Sequence, residues 1–444
     1  MALIYDSTLT TEAQDEGALS GFLRFAAFAS VLGGLTFNFF LCFVNTRVIA
    51  VSDSHVMLGE MAVTGTAFLA AVDRRAGLYL FLAIFVTYMF FLFQLRHQND
   101  IKALRDVLNP VIFYVLGTRV KDIRIADRLA LISAIIVLIF AAFEYLLLDL
   151  YLDWFNVLGY YISRGTVSLQ DSYGATRGLF ISGNRPEPRT LLPFLGQQRV
   201  SSVFLEPVSM GNYGAILYAW GLFRRDYKHR WFLIISALIL IISADARFGL
   251  GACIVMTVLV PVYRLIPRQI WMVVPFLMLS MFSAYGIITG VNQGPDDFTG
   301  RLQSTSHLIT TLPQGAVLGY ETYEKFTSDS GFAYTLTQFG ILGFIGIWTT
   351  FVMLPCRDKQ GWQFHSMMII YLLLILIISN SFYSVKTAAI MFFMLGTANA
   401  VQFPPIPSIW SRMFGRGSGA KPGATAETTV NSMTGSSSPR PKSR

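Results

Sequence analysis

The sequence predicts an all-α polytopic membrane protein with about 10 to 12 transmembrane helices, each needing roughly 20 mostly apolar residues. Three observations support this fold class: 54% of the 444 residues are hydrophobic, only 14% are charged, and uncharged apolar runs recur along the chain. A soluble globular domain carries roughly 25% charged residues. The composition therefore excludes a soluble enzyme, a disordered protein and a coiled coil.

The clear candidates for spanning helices are apolar runs that are long enough, or nearly long enough, to cross a bilayer. In chain order they are residues 19–46, 77–95, 129–150, 201–223, 231–244, 248–266, 270–290, 331–355, 366–384 and 387–403. The first run is predicted to be a spanning helix rather than a cleaved signal, because the residues before it are acidic and a secretory signal needs a positive start.

Two weaker segments set the uncertainty in the helix count. Residues 48–72 are interrupted by Asp53, His55 and Glu60, and residues 104–117 are short and flanked by charge. The count is about 10 if both segments lie at the membrane interface and about 12 if both cross.

Basic residues predict the orientation, because loops rich in Lys and Arg stay on the cytoplasmic side. In the second half, one set of loops and the C-terminal tail hold most of them, and the alternate set holds only Arg247, Arg301, Lys325 and Lys386. The tail and the loop 224–230 are therefore predicted to be cytoplasmic. The two long connections, 151–199 and 291–330, are predicted to lie outside.

The first half fits this orientation less simply. Arg96, Lys102 and Arg105 would fall outside if residues 104–117 crossed the membrane, which favours an interfacial helix there. The predicted organisation is a cytoplasmic segment 1–18, helices in 19–150, an outer connection 151–199, helices in 200–290, an outer connection 291–330, helices in 331–403 and a disordered, basic cytoplasmic tail 404–444.

Several classes of function are excluded by what the sequence lacks. The formal net charge is +8, but Lys and Arg are confined to gaps between apolar runs and to the tail, so no nucleic-acid partner is expected. Three cysteines at no metal-ligand spacing predict neither a disulfide framework nor a zinc site. There is no P-loop and no dinucleotide fingerprint, so no nucleotide cofactor is expected.

Ionisable residues at membrane depth are costly and usually functional. The first such place is the run from Arg199 to Glu206, which we expect to open a helix with both residues on one face. Pro207 and Gly211 would loosen that helix. Two serines and an arginine at a helix start suit an anion, although Arg199 could instead be a boundary residue whose head group reaches the interface.

Three further places lie on the same predicted side. Asp245 and Arg247 fall in a tight turn, either as a structural salt bridge or with the arginine held into an outward cavity. Asp329 stands at the mouth of a helix, where it could be a general base, a ligand for a substrate hydroxyl or an ordinary cap. Lys386 lies between two apolar runs and could be only an anchor. Arg301 lies in the second outer connection.

A site with several arginines and few bases suits a pyrophosphate, which can be both a bound group and a leaving group. A lipid-linked sugar diphosphate has this character, and its lipid would lie between helices. Because such a donor is already activated, the site needs neither a metal nor a cofactor.

Ordered motifs in 199–400 resemble the O-antigen ligase and polysaccharide polymerase superfamily. They are Arg199-x-Ser-Ser-x-Phe-x-Glu-Pro-x-x-x-Gly, Ser243-x-x-x-Arg247 before an apolar helix, Thr299-Gly-Arg301, Gly319-Tyr320 and Asp329-Ser-Gly-Phe. Within this group the chain is most similar to exopolysaccharide polymerases of the xanthan-polymerase kind.

The resemblance implies a GT-C-like glycosyltransferase of the bacterial inner membrane, with two long periplasmic loops. It assigns the donor diphosphate to Arg199 and Arg247, and less securely to Arg301. The ligase branch has a histidine base where this sequence has Asp329, which leaves the base open between Asp329 and Glu206. Other substrate contacts are expected from Tyr320 and Lys386.

The implied substrate is an undecaprenyl-diphosphate-linked oligosaccharide, joined into an exopolysaccharide at the periplasmic face. Membrane lipids, a flippase and proteins that control chain length or export are the implied partners. Two alternatives stay open: a ligase, which differs in its acceptor, and a lipid-linked oligosaccharide flippase or polysaccharide exporter. A transporter would be expected to show repeat symmetry between its halves, whereas the unusual residues here are concentrated in the second half.

Overall fold

The computed structural model describes residues 16–72, 76–168, 177–184, 189–263, 265–290, 298–323, 327 and 329–403. The predicted tail 404–444, and all but the last residues of the predicted N-terminal segment, lie outside this part of the chain. Within it, α-helices dominate, and an isolated antiparallel bridge joins Asn184 to Gln198.

The α-helices of the described residues run in chain order as α1 Glu16–Arg47, α2 Asp53–Ala71, α3 Ala76–Arg96, α4 Ile101–Val120, α5 Ile123–Leu146, α6 Leu148–Trp154, α7 Val157–Ser163, α8 Pro207–Phe223, α9 Arg230–Ser243, α10 Arg247–Leu259, α11 Arg268–Thr289, α12 Phe298–Thr311, α13 Gln314–Leu318, α14 Gly331–Met353, α15 Lys359–Ile378 and α16 Val385–Ala400. Short 3-10 turns occur at Pro193–Leu195, Ser202–Phe204 and Ser381–Tyr383.

Six of the described helices are long and apolar enough to cross a membrane: Gly21–Arg47 of α1, Gly77–Arg96 of α3, and α5, α11, α14 and α15. Helices α9, α10 and α16 are apolar but shorter. The prediction of an all-helical multi-pass membrane protein is therefore confirmed. Protein buries 83% of the apolar window of α15 but only 17% of that of α11, so α15 lies in the core and α11 at the periphery.

The described parts of two long connections, within residues 147–206 and 290–330, meet at one end of α15 and α16. The Lys386 Nζ donates a hydrogen bond of 3.1 Å to the carbonyl of Phe204 in the first connection. The hydroxyl of Thr305, in the second connection, donates to the carbonyl of Ile377. Since Ile377 and Lys386 flank the short turn between α15 and α16, both connections lie at this end, which we call the connection end.

Helix α4 packs side by side with α16. A Cβ atom added at Gly117 would lie 2.2 Å from the carbonyl oxygen of Phe393, and one at Gly396 would lie 2.1 Å from that of Tyr114. Only glycine permits backbones to approach this closely. The charges of α4 that argued against a crossing are compensated by buried carboxylates, as described below.

Helix α8 begins later than the sequence predicts. Leu205 adopts a left-handed conformation with φ 64°, Glu206 is extended, and Pro207 takes the first helical position, where its missing N–H costs nothing. Arg199 and Glu206 therefore do not share a helix face. Gly211 does not loosen α8 either, because a Cβ there would meet the Cβ of Ala246 at 2.2 Å, so this glycine serves close packing.

Helix α14 is broken at Gly340, whose φ of 64° and ψ of 172° are not helical. The carbonyls left open before the break are bound by α3: the Arg96 Nη1 donates to Gln338 at 3.0 Å, and the Tyr88 hydroxyl donates to Phe339 at 2.7 Å. The backbone of Leu318 fills the break, since a Cβ on Gly340 would lie 2.8 Å from its carbonyl oxygen. Contacts with α3 and α13 thus fix the kink.

A buried ion pair ties α5 to α8 at the end opposite the connection end. Asp127 accepts hydrogen bonds from Trp220 Nε1 at 3.0 Å and from Arg224 Nη2 at 2.9 Å, and the two charged side chains are 4% and 16% exposed. We expect Arg224→Met to lower the unfolding free energy by about 3–5 kcal/mol, because it leaves Asp127 buried without its cation.

The measurement is thermal unfolding in detergent, with Arg225→Met at the neighbouring exposed position as the matched control. The double variant Asp127→Leu/Arg224→Met should recover much of the lost stability. Equal stability of the two single arginine variants would contradict a structural role for the pair.

Candidate functional site

The structure brings together two residues that the sequence singled out separately. Lys386, in the first turn of α16, has its Nζ 3.5 Å from the Oε1 of Glu206, which immediately precedes α8. The two side chains are 8% and 29% exposed. A buried ammonium needs a partner of opposite charge. Lys386 therefore points into the protein, and the reading of this residue as a simple boundary anchor is not supported.

Tyr161 of α7 completes this site and was not found from the sequence. Its hydroxyl donates a hydrogen bond of 2.5 Å to Glu206 Oε1, and it accepts one of 3.4 Å from the Lys386 Nζ. The Ser209 hydroxyl donates to the other carboxylate oxygen at 2.9 Å. Three donors around one carboxylate favour its charged form. We call Tyr161, Glu206, Ser209 and Lys386 the Glu206 cluster.

Arg164 closes the Glu206 cluster on the side of the first connection. Its guanidinium lies 5.3 Å and 5.5 Å from the ring centres of Tyr160 and Tyr161, and it pairs with Asp53 Oδ1 at 2.9 Å. Stacking on aromatic rings suits the planar guanidinium. The contact connects α7 to the start of α2, so the first connection is fixed over the bundle.

A second group of charges lies in the first half of the chain, and we call it the Arg105 cluster. The Arg105 guanidinium bonds Glu60 Oε2 at 2.8 Å and Asp106 Oδ1 at 2.9 Å. Asn109 donates to Glu60 at 3.1 Å, and the Tyr334 hydroxyl donates to Asp106 at 2.6 Å. These residues join α2, α4 and α14. The signal was present in the sequence as charges inside two otherwise apolar segments.

The two clusters are neighbours. Lys386 acts electrostatically on Glu60 as well as on Glu206. Paired charges inside a helical bundle usually face its interior or a polar cavity. The two clusters draw their residues from both halves of the chain.

Arg199 has contacts typical of a structural residue. It is 6% exposed, its Nε donates to the Ala244 carbonyl at 3.0 Å, and its Nη2 reaches the Asp245 carbonyl at 3.4 Å. Arg189, from the same connection, donates to the Ser243 carbonyl at 2.6 Å. Basic groups at a helix C-terminus compensate its unpaired carbonyls and its negative pole. Both arginines therefore stabilise the end of α9.

Arg189 and Asp245 lie close together near the end of α9. Burial lowers the pKa of Arg189, an effect that the nearby Asp245 carboxylate opposes. The Asp245 carboxylate itself accepts hydrogen bonds from the backbone N–H groups of Thr190, at 3.2 Å, and Leu191, at 2.9 Å. Asp245 thus anchors the first connection. Arg247 begins α10 and is partly exposed.

Two predicted residues of the second connection also meet. The Arg301 Nη1 lies 3.5 Å from Asp329 Oδ2, with the side chains 38% and 59% exposed. The cap of α14 is the neighbouring Ser330, whose hydroxyl accepts the Ala333 N–H at 3.3 Å. Asp329 is therefore not required as the cap. Tyr320 is 51% exposed and lies next to Gly319, whose carbonyl binds Arg96.

Together these contacts place an accessible carboxylate, a buried ammonium and an exposed Arg–Asp pair at the connection end. Such groups can hold an anion and orient hydroxyl groups. Among the described residues, no set of three His, Cys, Asp or Glu side chains is arranged to hold a metal ion. Comparison with family models, curated proteins and solved structures finds no match.

Proposed function

We propose that the protein is a GT-C-like polysaccharide polymerase of the bacterial inner membrane. It joins undecaprenyl-diphosphate-linked oligosaccharide repeat units at the periplasmic face during exopolysaccharide synthesis. The observation that carries this proposal is the Glu206 cluster, a partly exposed carboxylate held in its charged form at the connection end of a helical membrane bundle. The ordered motifs in 199–400 support the choice of reaction.

Glu206 and Asp329 receive different roles in this proposal. Glu206 faces the anomeric carbon of the donor sugar, where its negative charge stabilises an oxocarbenium-like transition state. Asp329, which is more exposed, takes the proton of the acceptor hydroxyl. The bond between the anomeric carbon and the diphosphate oxygen breaks, the diphosphate leaves with the electron pair, and the acceptor oxygen forms the new glycosidic bond.

The diphosphate is assigned to Arg247 and Arg301. Both are partly exposed, and arginine binds phosphate oxygens through parallel N–H donors. Arg199 is left out of this set because its donors are directed at the carbonyls of residues 182, 244 and 245. The lipid of the donor would lie between helices that face the bilayer.

A flippase or exporter is the second candidate, and one observation favours it. The Arg105 cluster places buried charges in the first half of the chain, and buried charges inside membrane bundles also mark transport pathways. A ligase differs from the proposed polymerase only in its acceptor.

The test is the identity of the lipid-linked species that accumulate when the gene is deleted. Single repeat units on the periplasmic leaflet are expected for a polymerase, and the wild-type gene should restore the polymer. Finished chains that lack attachment would instead indicate a ligase. Units retained on the cytoplasmic leaflet would indicate a flippase and overturn the proposal.

A further inference from the structure

The ion pair between Arg164, directly after α7, and Asp53 has one member close to solvent. The Arg164 side chain is 14% exposed, whereas that of Asp53, in the first turn of α2, is 57% exposed. Ion pairs at the solvent-exposed surface contribute little to stability. Asp53 does not cap α2 either, because Ser52 takes the N-cap position. Another anion can therefore replace Asp53 at a low cost in stability.

Two aromatic rings hold the Arg164 guanidinium in place without Asp53. The guanidinium lies 5.3 Å and 5.5 Å from the ring centres of Tyr160 and Tyr161. Both tyrosines are buried, and the Tyr160 hydroxyl donates a hydrogen bond of 2.7 Å to Asn38 in α1. Stacking on these rings keeps the guanidinium oriented. A group that is oriented before binding loses less entropy when a ligand arrives.

The pair with Asp53 uses only part of what the Arg164 guanidinium offers. Its Nε and Nη2 donate to the same oxygen of Asp53, Oδ1, at 3.2 Å and 2.9 Å. This edge of a guanidinium carries two parallel N–H donors, which match two oxygens of a phosphate or a carboxylate. Because Asp53 presents one oxygen to both donors, an anion that presents two oxygens would satisfy this edge better.

Arg164 lies next to the Glu206 cluster. The ring of Tyr161 that faces the guanidinium carries the hydroxyl that donates to Glu206 Oε1 at 2.5 Å. Arg164 also acts electrostatically on Lys386, whose Nζ lies 3.5 Å from Glu206. Lys386 is buried against its partner, whereas the partner of Arg164 is exposed. An anion that replaces Asp53 thus lies about one tyrosine side chain away from Glu206.

We propose that Arg164 is a further substrate-binding residue, which exchanges Asp53 for an anionic group of the substrate. This group is either a phosphate of the lipid diphosphate or the carboxylate of an acidic sugar, since both present two oxygens to the same guanidinium edge. The identity of the substrate as a lipid-linked oligosaccharide rests on the proposed function. The anion site itself rests on the contacts of Arg164.

The binding test uses the full-length protein in nanodiscs of neutral lipid at constant low ionic strength. The probes are inorganic pyrophosphate and glucuronate, which represent the phosphate and the sugar carboxylate. We expect the wild type to bind at least one probe. Arg164→Gln should bind that probe about tenfold or more weakly, because it loses hydrogen bonds between charged groups. Asp53→Asn should bind it about threefold more tightly, because a weak competitor is removed.

A second ion pair of the first connection provides matched controls. Arg47 pairs with Asp153, the two side chains are 41% and 62% exposed, and the Arg47 guanidinium lies 5.6 Å from the ring centre of Trp154. Arg47→Gln and Asp153→Asn therefore remove the same groups from a pair outside the Glu206 cluster. We expect neither control to change the affinity for the probes.

The two probes identify the source of the anion. Weaker binding of pyrophosphate to Arg164→Gln assigns the site to a phosphate, and weaker binding of glucuronate assigns it to a sugar carboxylate. No binding of either probe by the wild type, equal affinities of Arg164→Gln and Arg47→Gln, or weaker binding by Asp53→Asn would overturn the exchange. Unfolding temperatures of all variants are measured alongside, so that a folding defect is not mistaken for lost binding.

The joining of a labelled lipid-diphosphate repeat unit gives a second readout. We expect Arg164→Gln to raise KM by about tenfold or more with little change in kcat, because the hydrogen bonds lost are those that bind substrate. Asp53→Asn should lower KM. A pair with a structural role only would be disturbed by either variant in the same way, so a similar loss of joining in both variants would rule out the binding role.

These outcomes separate the anion site from the proposed function. If the deletion strain accumulates no periplasmic repeat units while the nanodisc protein still binds a probe through Arg164, the polymerase proposal fails and the anion site stands. If periplasmic repeat units accumulate but the protein binds neither probe, the anion site fails and the polymerase proposal stands.

Discussion

Glu206→Gln is expected to lower the rate of repeat-unit joining by about 100-fold or more, the scale on which a single acid–base or charge-stabilising group contributes. Tyr161 and Ser209 donate to different oxygens of the Glu206 carboxylate, and the amide keeps the shape of the side chain and one of these two acceptors. The negative charge and the other acceptor are lost. The measurement is the joining of a labelled lipid-diphosphate repeat unit by membranes that contain equal amounts of each variant.

Variants of Lys386 distinguish a loss of stability from a loss of catalytic activity. Lys386→Met leaves the Glu206 carboxylate without its ammonium, and we expect both stability and joining to fall. Adding Glu206→Gln removes the unpaired charge, so the double variant should regain stability but not activity. Wild-type joining by Glu206→Gln would exclude the proposed role of this carboxylate. If the joining activity falls and recovers together with stability in Glu206→Gln, Lys386→Met and the double variant, the pair has a structural role only.

Gly396→Ala is expected to weaken the packing of α16 on α4. Its new Cβ would lie 2.1 Å from the carbonyl oxygen and 2.9 Å from the carbonyl carbon of Tyr114, and these backbone atoms cannot move without separating α16 from α4. Overpacking of a core costs typically 1–3 kcal/mol and occasionally more. At the upper end of this range the unfolding temperature of a chain this long falls by about 3 °C.

Gly251→Ala and Gly346→Ala are the matched controls, because both glycines lie within helices and have no atom within 4 Å of an added Cβ. Alanine favours the helix by about 1 kcal/mol over glycine, so these variants should be as stable as the wild type or more so. Thermal unfolding in detergent and the amount of protein in membranes are the two measurements. A Gly396→Ala protein as stable as the controls would refute close packing of α4 on α16.

Hydropathy was enough to predict the fold class. Each spanning helix needs its own apolar run of about 20 residues, and such a run can be recognised without knowing how the helices pack. The start of α8 was predicted wrongly, because it depends on the backbone preferences of a few residues and not on hydropathy. The prediction of a helix from residue 201 overlooked that Pro207 is most favourable in a first helical turn and that the residue before a proline is extended. The left-handed conformation of Leu205 carries no comparable signal in the sequence.

Hydropathy also revealed part of the candidate site. Glu206 and Lys386 each stand out against apolar neighbours, but their pairing depends on how α8 and α16 pack. Tyr161 has no hydropathy signal in a polar connection. Arg105 was visible in the sequence, but its ion pairs with Glu60 and Asp106 were not, because they depend on how α2 packs against α4.

The break in α14 has a consequence for the order of biogenesis. A helix with open carbonyls at membrane depth loses several kcal/mol for each unsatisfied group in hydrocarbon, so the kinked form of α14 needs donors from neighbouring helices. Arg96 and Tyr88 on α3 supply the missing donors, and α3 leaves the ribosome more than two hundred residues before α14. We therefore expect the early helix to stabilise the late one, and truncated chains that lack α3 should hold α14 less stably in the membrane.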